Sequence, residues 1–338
     1  MKVLNLLLAL IFFCSISLTA QNNETVNIMT YNIKGHSMTD SRLKKIAQVI
    51  NSEKPDLVAL QEVDNRLYGM KHNHISDLAA ATGMKYKFFA LVGTYYGIGI
   101  LYKDEPISSG TKRIVRGTNS TDKEDRGFVY AEFNDFVFMS THYSLNAEDR
   151  DVATDWAIDF ALNSDKTVFI AGDFNAKPTY RAMVTFKNNG FVILNKTDEY
   201  TYPADAPDSC IDMLISYSNF REAAKYEVLD SYIANSSGLD LKSVSDHLPV
   251  VVKLHRRSAS VDEVEENSVI VKAVEGGFML KGLSGTAFAS VYDTLGRCVK
   301  RLEAENGHTI AVNDNKSKQL YLVKVQTTNK TYTFKLIF

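Results

Sequence analysis

Five segments of this chain are short, nearly continuous apolar runs: VNIMTYNI (26–33), DLVALQEV (56–63), VFMSTHY (137–143), TVFIAGDFN (167–175) and LPVVVKL (248–254). They lack the polar/apolar alternation of a half-exposed strand. They therefore predict strands buried on both faces, which only a sheet covered on both sides supplies. YKFFAL (86–91), GIGILYK (97–103), FVYAEF (128–133) and IDMLIS (211–216) add further strands. Helical spacing is confined to a few intervening stretches. SRLKKIAQVINSEKP (41–55) places Leu43, Ile46, Ala47 and Ile50 on one face and stops at Pro55. ISDLAAATG (75–83), AEDRDVATDWAIDFALN (147–163) and RAMVTFKNNG (181–190) also read as helices. In the third of these four, Val152, Trp156, Ile158 and Phe160 are expected on or near the apolar face. Many strands with few helices favour an α+β sandwich over a doubly wound parallel sheet.

The pattern changes after Leu254. RRSASVDEVEEN (256–267) is charged, contains Ser and has no apolar period, so it reads as a linker. Residues 268–338 give short β segments without Pro, a small all-β domain. At the other end, MKVLNLLLALIFFCSISLTA (1–20) has a positive Lys2, an apolar stretch and small residues before Gln21. That is the layout of a cleaved export signal. The expected order is signal 1–20, catalytic domain 21–255, linker 256–267 and β-sandwich 268–338, with the product periplasmic, surface-held or secreted. A net charge of −2 over 338 residues announces no polyanionic partner. Of three cysteines Cys14 falls in the signal, and Cys210 and Cys298 fall in different expected domains, so no disulfide framework is predicted.

The chemistry is written at the strand ends. Asn32 ends the first run, Glu62 the second and His142 the next, while Asp173 and Asn175 follow VFIAG. Asp212 opens IDMLIS, and Asp246 and His247 immediately precede LPVVVKL. Each residue alone reads as a turn or surface group. Together, on strand ends that can converge on one edge, they read as a site. Asn32 and Glu62 offer hard oxygen ligands suited to Mg²⁺ or Mn²⁺. Asp246 beside His247 suits proton transfer with a water nucleophile. Asn175 and His142 can donate to charge growing on phosphoryl oxygens. Such a set supports phosphoester hydrolysis.

TYNIKG, VALQEVD, YGIGILYK, STHYS, AGDFNAKP, TYPADAPDSCIDMLIS and SDHLPVVV, in that order, closely resemble the endonuclease/exonuclease/phosphatase superfamily with its DNase I-like fold. The resemblance covers about 25–254. It implies a four-layered α/β/β/α sandwich and divalent-metal-dependent hydrolysis of phosphoesters by in-line water attack. By motif, it implies that Asn32 and Glu62 hold the metal, with Asp246 touching one as well. It further implies that Asp173 orients or activates water, that Asn175 and His142 contact phosphate, and that Asp212 orients His247 as general base or phosphate contact. Arg126, in EDRGFVYAEF, resembles a position near the phosphate. Cys210 and Met213 stand where the family often carries Arg and an aromatic, which bears on substrate contacts.

The C-terminal VYDTLGRCVKRL and LYLVKVQTTNKTYTFKLIF resemble, less specifically, the type IX secretion sorting domain of Bacteroidota, although the closing KLIF departs from the usual basic ending. The implied partner there is secretion machinery. The substrate is less constrained. The catalytic segment carries an acidic excess, and its densest basic patch is the small set Lys112, Arg113 and Arg116. This favours a phosphodiesterase acting on a small or lipid-linked phosphoester. A secreted nuclease and a non-catalytic surface-binding module are the alternatives. Tyr95 and Tyr96, with Phe88 and Phe89, are candidates to stack on a base or meet lipid, or else are core and rim aromatics.

Overall fold

The computed structural model describes residues 25–36, 38–65, 73–218, 225–235, 237–256, 269–274, 276–283, 285–312, 319–327 and 331–337. The expected signal segment, and the expected linker beyond Arg256, lie outside them. Among the described residues no helix is long and apolar enough to cross a membrane.

The first half runs β1 (Thr25–Asn32), α1 (Asp40–Glu53), β2 (Leu57–Asp64), α2 (His74–Thr82), β3 (Lys85–Val92) and β4 (Tyr96–Tyr102). It continues through β5 (Ser108–Ile114), β6 (Arg126–Glu132), β7 (Phe136–His142), α3 (Ala147–Leu162), β8 (Thr167–Asp173), α4 (Arg181–Asn188), β9 (Val192–Ile193), β10 (Asp212–Tyr217), β11 (Tyr226–Ile233) and β12 (Val250–Arg256). Two six-stranded sheets result, ordered β11-β12-β1-β2-β4-β3 and β5-β6-β7-β8-β10-β9. Each has a central parallel pair, β1/β2 or β7/β8, joined through a helix, with antiparallel neighbours.

Three apolar layers explain the continuous runs. Met29, Tyr31, Val58 and Leu60 face α1 and α2. Val137, Met139, Val168 and Ile170 face α3 and α4. Ile28, Ala59, Phe138, Phe169, Leu214 and Val252 meet between the sheets. The architecture is thus helix, sheet, sheet, helix. On α3, Trp156, Ile158 and Phe160 pack on the core as expected, Val152 is exposed, and Ala153, Ala157 and Ala161 complete the contact. Small side chains let that helix lie close to its sheet.

The helix ends follow local chemistry. Thr39 and Asn146 accept backbone N–H bonds at the starts of α1 and α3. Lys54, just before Pro55, takes a left-handed conformation to end α1, and Gly83 does the same for α2.

Beyond the linker, β13 (Ile270–Val274), β14 (Gly277–Lys281), β15 (Ala287–Tyr292), β16 (Cys298–Ala304), β17 (Thr309–Ala311), β18 (Leu320–Gln326) and β19 (Thr331–Ile337) form two further sheets. Their orders are β13-β14-β17 and β16-β15-β18-β19, around a core that includes Phe278, Leu280, Val291, Val323 and Phe334. Cys210 is buried, Cys298 is exposed, and both are free thiols.

Candidate active site

Strand alternation places the site between the sheets. In β1, Ile28 points into the layer between the sheets, so Asn32, two periods on, points there too. In the facing sheet His142 pairs with Asp173, and Asp173 with Asp212, across β7, β8 and β10. These three lie in one row, in phase with Phe138, Phe169 and Leu214. Every member of this group is buried: Asn32, His142, Asp173 and Asp212, with His247 supplied by the loop before β12.

Their contacts are direct. Asn32 Nδ2 is 3.1 Å from Asp173 Oδ2 and 3.1 Å from Glu62 Oε1. His247 Nδ1 donates to Asp212 Oδ2 at 2.9 Å. His142 Nε2 and His247 Nε2 lie 3.5 and 3.7 Å from Asp173 Oδ2. Asn175 N donates to Asp173 Oδ1 at 2.8 Å, and its side chain donates to the Tyr143 carbonyl at 2.9 Å. Thus Asn32, Glu62, His142, Asp173, Asp212 and His247 form one connected group, with Asn175 bound to it through Asp173. Asp246 sits at the rim, 2.8 Å from Lys34 Nζ.

Glu62 reaches the group through a defect in its strand. Regular alternation after Leu60 would send residue 62 toward α1 and α2. A β-bulge between Leu60 and Val63 adds an extra residue, and Glu62 has φ +56°. The bulge re-aims the carboxylate along the sheet end. Gly35 holds this bulge, donating to the Glu62 carbonyl at 2.8 Å. A Cβ on Gly35 would stand 2.0 Å from that carbonyl oxygen and 2.8 Å from Asp64 N, both backbone atoms. Gly35→Ala is therefore expected to displace Glu62, with stability falling by about 1–3 kcal/mol and hydrolysis falling on the order of 10²-fold. Thermal melts and steady-state rates check both. A variant with wild-type activity would mean that the bulge does not position the carboxylate.

The two histidines sit in opposite electrical settings. Burial opposes charge on His247, but Asp212 outweighs it through both its charge and its hydrogen bond, with help from Asp173 and Asp246, so its pKa rises to about 10. A protonated His247 ring offers a hydrogen-bond donor at Nε2 as well as at Nδ1. His142 is held well below its ordinary value by burial, Arg126 and His247. Burial and the Asp212 charge raise Asp173, opposed by His247 and by the hydrogen bonds from Asn175 and Asn32.

Two acid sets are candidates for a divalent cation. Ligand atoms of Asp173, Asp212 and His247 lie within 4.8 Å of one another. That trio is buried and internally hydrogen-bonded, apart from Asp212 Oδ1, which has no partner among the described residues. A cation there would face an imidazolium. The other set is half-exposed. Glu62 and Asp246 both act on Lys34 and Arg42, and the Glu62 charge, after burial, raises the pKa of Tyr96. Hard, accessible oxygens fit Mg²⁺ or Mn²⁺ better than the enclosed trio. Asn32 Oδ1 accepts from Lys34 N at 3.1 Å, and its amide nitrogen faces the Glu62 and Asp173 carboxylates, each at 3.1 Å.

Arg126 lies beside the group, in contact with His142. Its guanidinium is buried among Asp122, Glu124 and His142. Three neighbours were not legible as site residues: Tyr96 at Glu62, Glu124 beside Arg126, and Tyr202, whose ring lies 4.6 Å from that of His247. In the sequence Tyr96 reads as a possible stacking, core or rim aromatic; its pairing with Asp64 at the start of β4 is what brings it to the site.

The family model described as Endonuclease/Exonuclease/phosphatase family matches residues 29–247. The chain belongs to the endonuclease/exonuclease/phosphatase family. That family includes nucleases and phosphatases, and every residue of the connected group falls within the match. Among solved structures, the endonuclease/exonuclease/phosphatase from Bacteroides vulgatus is similar with a TM-score of 0.56 and 19% identity, covering 69% of this chain and 100% of its own. D. rerio TDP2 complexed with a single-strand DNA product gives a TM-score of 0.53 and 15% identity, covering 68% and 99%. A mannosyl-6-phosphatase from Bacteroides thetaiotaomicron gives 0.50 and 17%, covering 68% and 99%. At these identities the likeness is one of fold. No curated protein matches the chain.

Proposed function

We propose that this chain is an exported, divalent-metal-dependent phosphodiesterase that hydrolyses a small or lipid-linked phosphoester. The observation carrying this reading is the convergence of Glu62, Asn32, His142, Asp173, Asp212 and His247, drawn from both sheets, into one group of contacting polar side chains.

Asp173 orients a water in line with the phosphorus–oxygen bond and accepts its proton as the water oxygen attacks. The bond to the leaving oxygen breaks, and that oxygen takes a proton from solvent. His142 and the His247 imidazolium donate to the phosphoryl oxygens as charge develops. Asn175 joins them on the phosphate. Asn32, Glu62 and Asp246 would hold the divalent cation, which supplies Lewis-acid polarisation of the phosphoryl group when bound. The C-terminal sandwich is the proposed contact for secretion machinery.

The choice of a small or lipid-linked substrate over DNA rests on this chain's own cations. Arg113, central in the densest basic patch, donates to the Leu91 and Ala90 carbonyls and pairs with Asp125. Lys112 lies over the Trp156 ring at 5.9 Å. The aromatics proposed for stacking are also engaged: Phe88 packs against the α1/α2 core and Phe89 against the core between the sheets. The test is purified residues 21–338 with Mg²⁺, Mn²⁺, Ca²⁺ or EDTA on bis-p-nitrophenyl phosphate, p-nitrophenyl phosphate, sphingomyelin and plasmid DNA. Metal-dependent turnover of a diester, abolished by EDTA, is expected. Preferential plasmid cleavage would replace the substrate assignment with the nuclease reading, and silence on all four would overturn both.

The Asp212–His247 pair also has a stability signature. His247 ionises at about 10 in the fold against an ordinary value of 6.5. The stability this raised pKa supplies is complete below pH 6.5 and is lost as pH rises through about 10. In EDTA, the melting-temperature gap between wild type and His247→Gln is expected to be widest at pH 6 and to close near pH 10. A gap that widened with pH would contradict the pairing.

A further inference from the structure

Arg126 has an unusual neighbour for a buried guanidinium. Its Nε donates to Asp122 Oδ2 at 3.0 Å and its Nη2 to Asp122 Oδ1 at 3.4 Å. Its Nη1 lies 3.0 Å from Glu124 Oε2 and 3.1 Å from His142 Nδ1. The side chain is 8% exposed. Asp122 is itself tied down, accepting from Ser144 Oγ at 2.9 Å, from Leu145 N at 3.2 Å and from Arg126. The guanidinium is therefore held in place and has little freedom to reach a ligand.

A guanidinium has five N–H donors and no acceptor. Where it meets a ring nitrogen, that nitrogen must carry the lone pair. His142 Nδ1 is thus unprotonated, and the one ring proton sits on Nε2, which faces Asp173 Oδ2 at 3.5 Å. His247 shows the reverse. Its Nδ1 meets a carboxylate, which only accepts, so that nitrogen carries a proton. A carboxylate or carbonyl is the common orienter of a histidine. Here one histidine of the site has that partner and the other has its electrical opposite.

We propose that Arg126 is a positioning residue that locks His142 as the neutral Nε2–H tautomer. In that form the ring gives the site one fixed hydrogen-bond donor and takes no proton during turnover. The tautomer follows from the geometry alone. Its use, donation to a phosphoryl oxygen, rests on the phosphoesterase reading. The lock also accounts for why the strand start at Arg126 and the loop carrying Asp122 and Glu124 are built around a site that the guanidinium does not enter.

The test is nitrogen-15 NMR of histidine-labelled residues 21–338, free of metal, at pH 7, with His142 assigned from the spectrum of His142→Gln. Wild type is expected to show His142 with one protonated nitrogen at Nε2 and one unprotonated at Nδ1. A proton on His142 Nδ1 in wild type, alone or with one on Nε2, would overturn the proposal, and this readout is taken on the wild-type protein. Arg126→Lys keeps a cationic donor and is expected to keep the pattern. Arg126→Met removes the donor and is expected to lose it, while kcat falls roughly 10²-fold and KM stays within threefold. Recovery of most of kcat in the lysine variant separates the lock from a general structural role. If no ester is turned over, the phosphoesterase reading fails and the tautomer is still measured. If esters are turned over and Arg126→Met changes the tautomer without lowering kcat, the use assigned to the lock falls.

Discussion

Asp173→Asn is expected to lower kcat by about 10³–10⁴-fold with KM little changed. Asp173 is the hub of the group. Its Oδ2 faces the Asn32 amide, His142 and His247, and its Oδ1 takes the Asn175 N–H. Asparagine keeps the size and one acceptor oxygen. It cannot receive a proton from water, and its amide hydrogens face other donors. The effect should therefore appear in the chemical step rather than in substrate binding. The fold is expected to survive, because the layers on either side, around Phe138, Phe169 and Leu214, do not depend on that carboxylate. Each kcal/mol lost would move the melting temperature by about 2–4 °C, so melts distinguish a dead enzyme from an unfolded one. A folded variant retaining a tenth of wild-type kcat would remove Asp173 from the reaction. In wild type, the raised ionisation of Asp173 places the acidic limb of log kcat above the ordinary carboxylate range, with rate rising as the carboxyl ionises.

Much of this site was legible because β-structure converts chain positions into rows. His142, Asp173 and Asp212 each sit at the active-site end of a fully apolar strand, and pairing lines them up across three strands. The continuous apolar runs were legible for the same reason: both faces of each sheet are covered. Two edge strands were not. SSGTKRI in β5 is polar, and YEVLDSYI in β11 interrupts its apolar residues with Glu227 and Asp230; both strands are largely solvent-facing, and each is held by hydrogen bonds to a single neighbour. The Arg126 lock was invisible for another reason. Asp122, Glu124 and Arg126 belong to TDKEDR, which reads as a solvated charge run, and only the return of the chain through Ser144 and His142 buries it. The turned carboxylate of Glu62 was also beyond the sequence. Residue type supplied the ligand chemistry, but the bulge that aims it depends on Gly35, which lies 27 residues earlier in the chain and meets Glu62 only in the fold.

Glu62→Gln is expected to lower kcat/KM by about 10³-fold, which corresponds to about 4 kcal/mol of lost transition-state stabilisation. Glutamine preserves the length and keeps an oxygen for the Asn32 amide, so it deletes mainly the negative charge. Two observations make that charge the point of the residue. The backbone adopts φ +56° to present it, a conformation that a residue with a side chain rarely takes without compensation. Asp246, Glu124 and the Tyr96 hydroxyl gather around the same edge, giving hard oxygens where solvent still reaches. A divalent cation bound there at 100 times its Kd would stabilise the folded protein by about 2.7 kcal/mol. Wild type is therefore expected to melt several degrees higher in excess Mg²⁺ or Mn²⁺ than in EDTA, and Glu62→Gln to show most of that gap closed. Activity alone does not locate the cation, but the paired melts do. If Glu62→Gln kept the full metal-dependent shift while Asp173→Asn lost it, the cation would belong to the enclosed Asp173–Asp212–His247 trio, where it would have to displace the His247 proton from Asp212. Metal binding to that trio would then release a proton, so its affinity would climb steeply with pH.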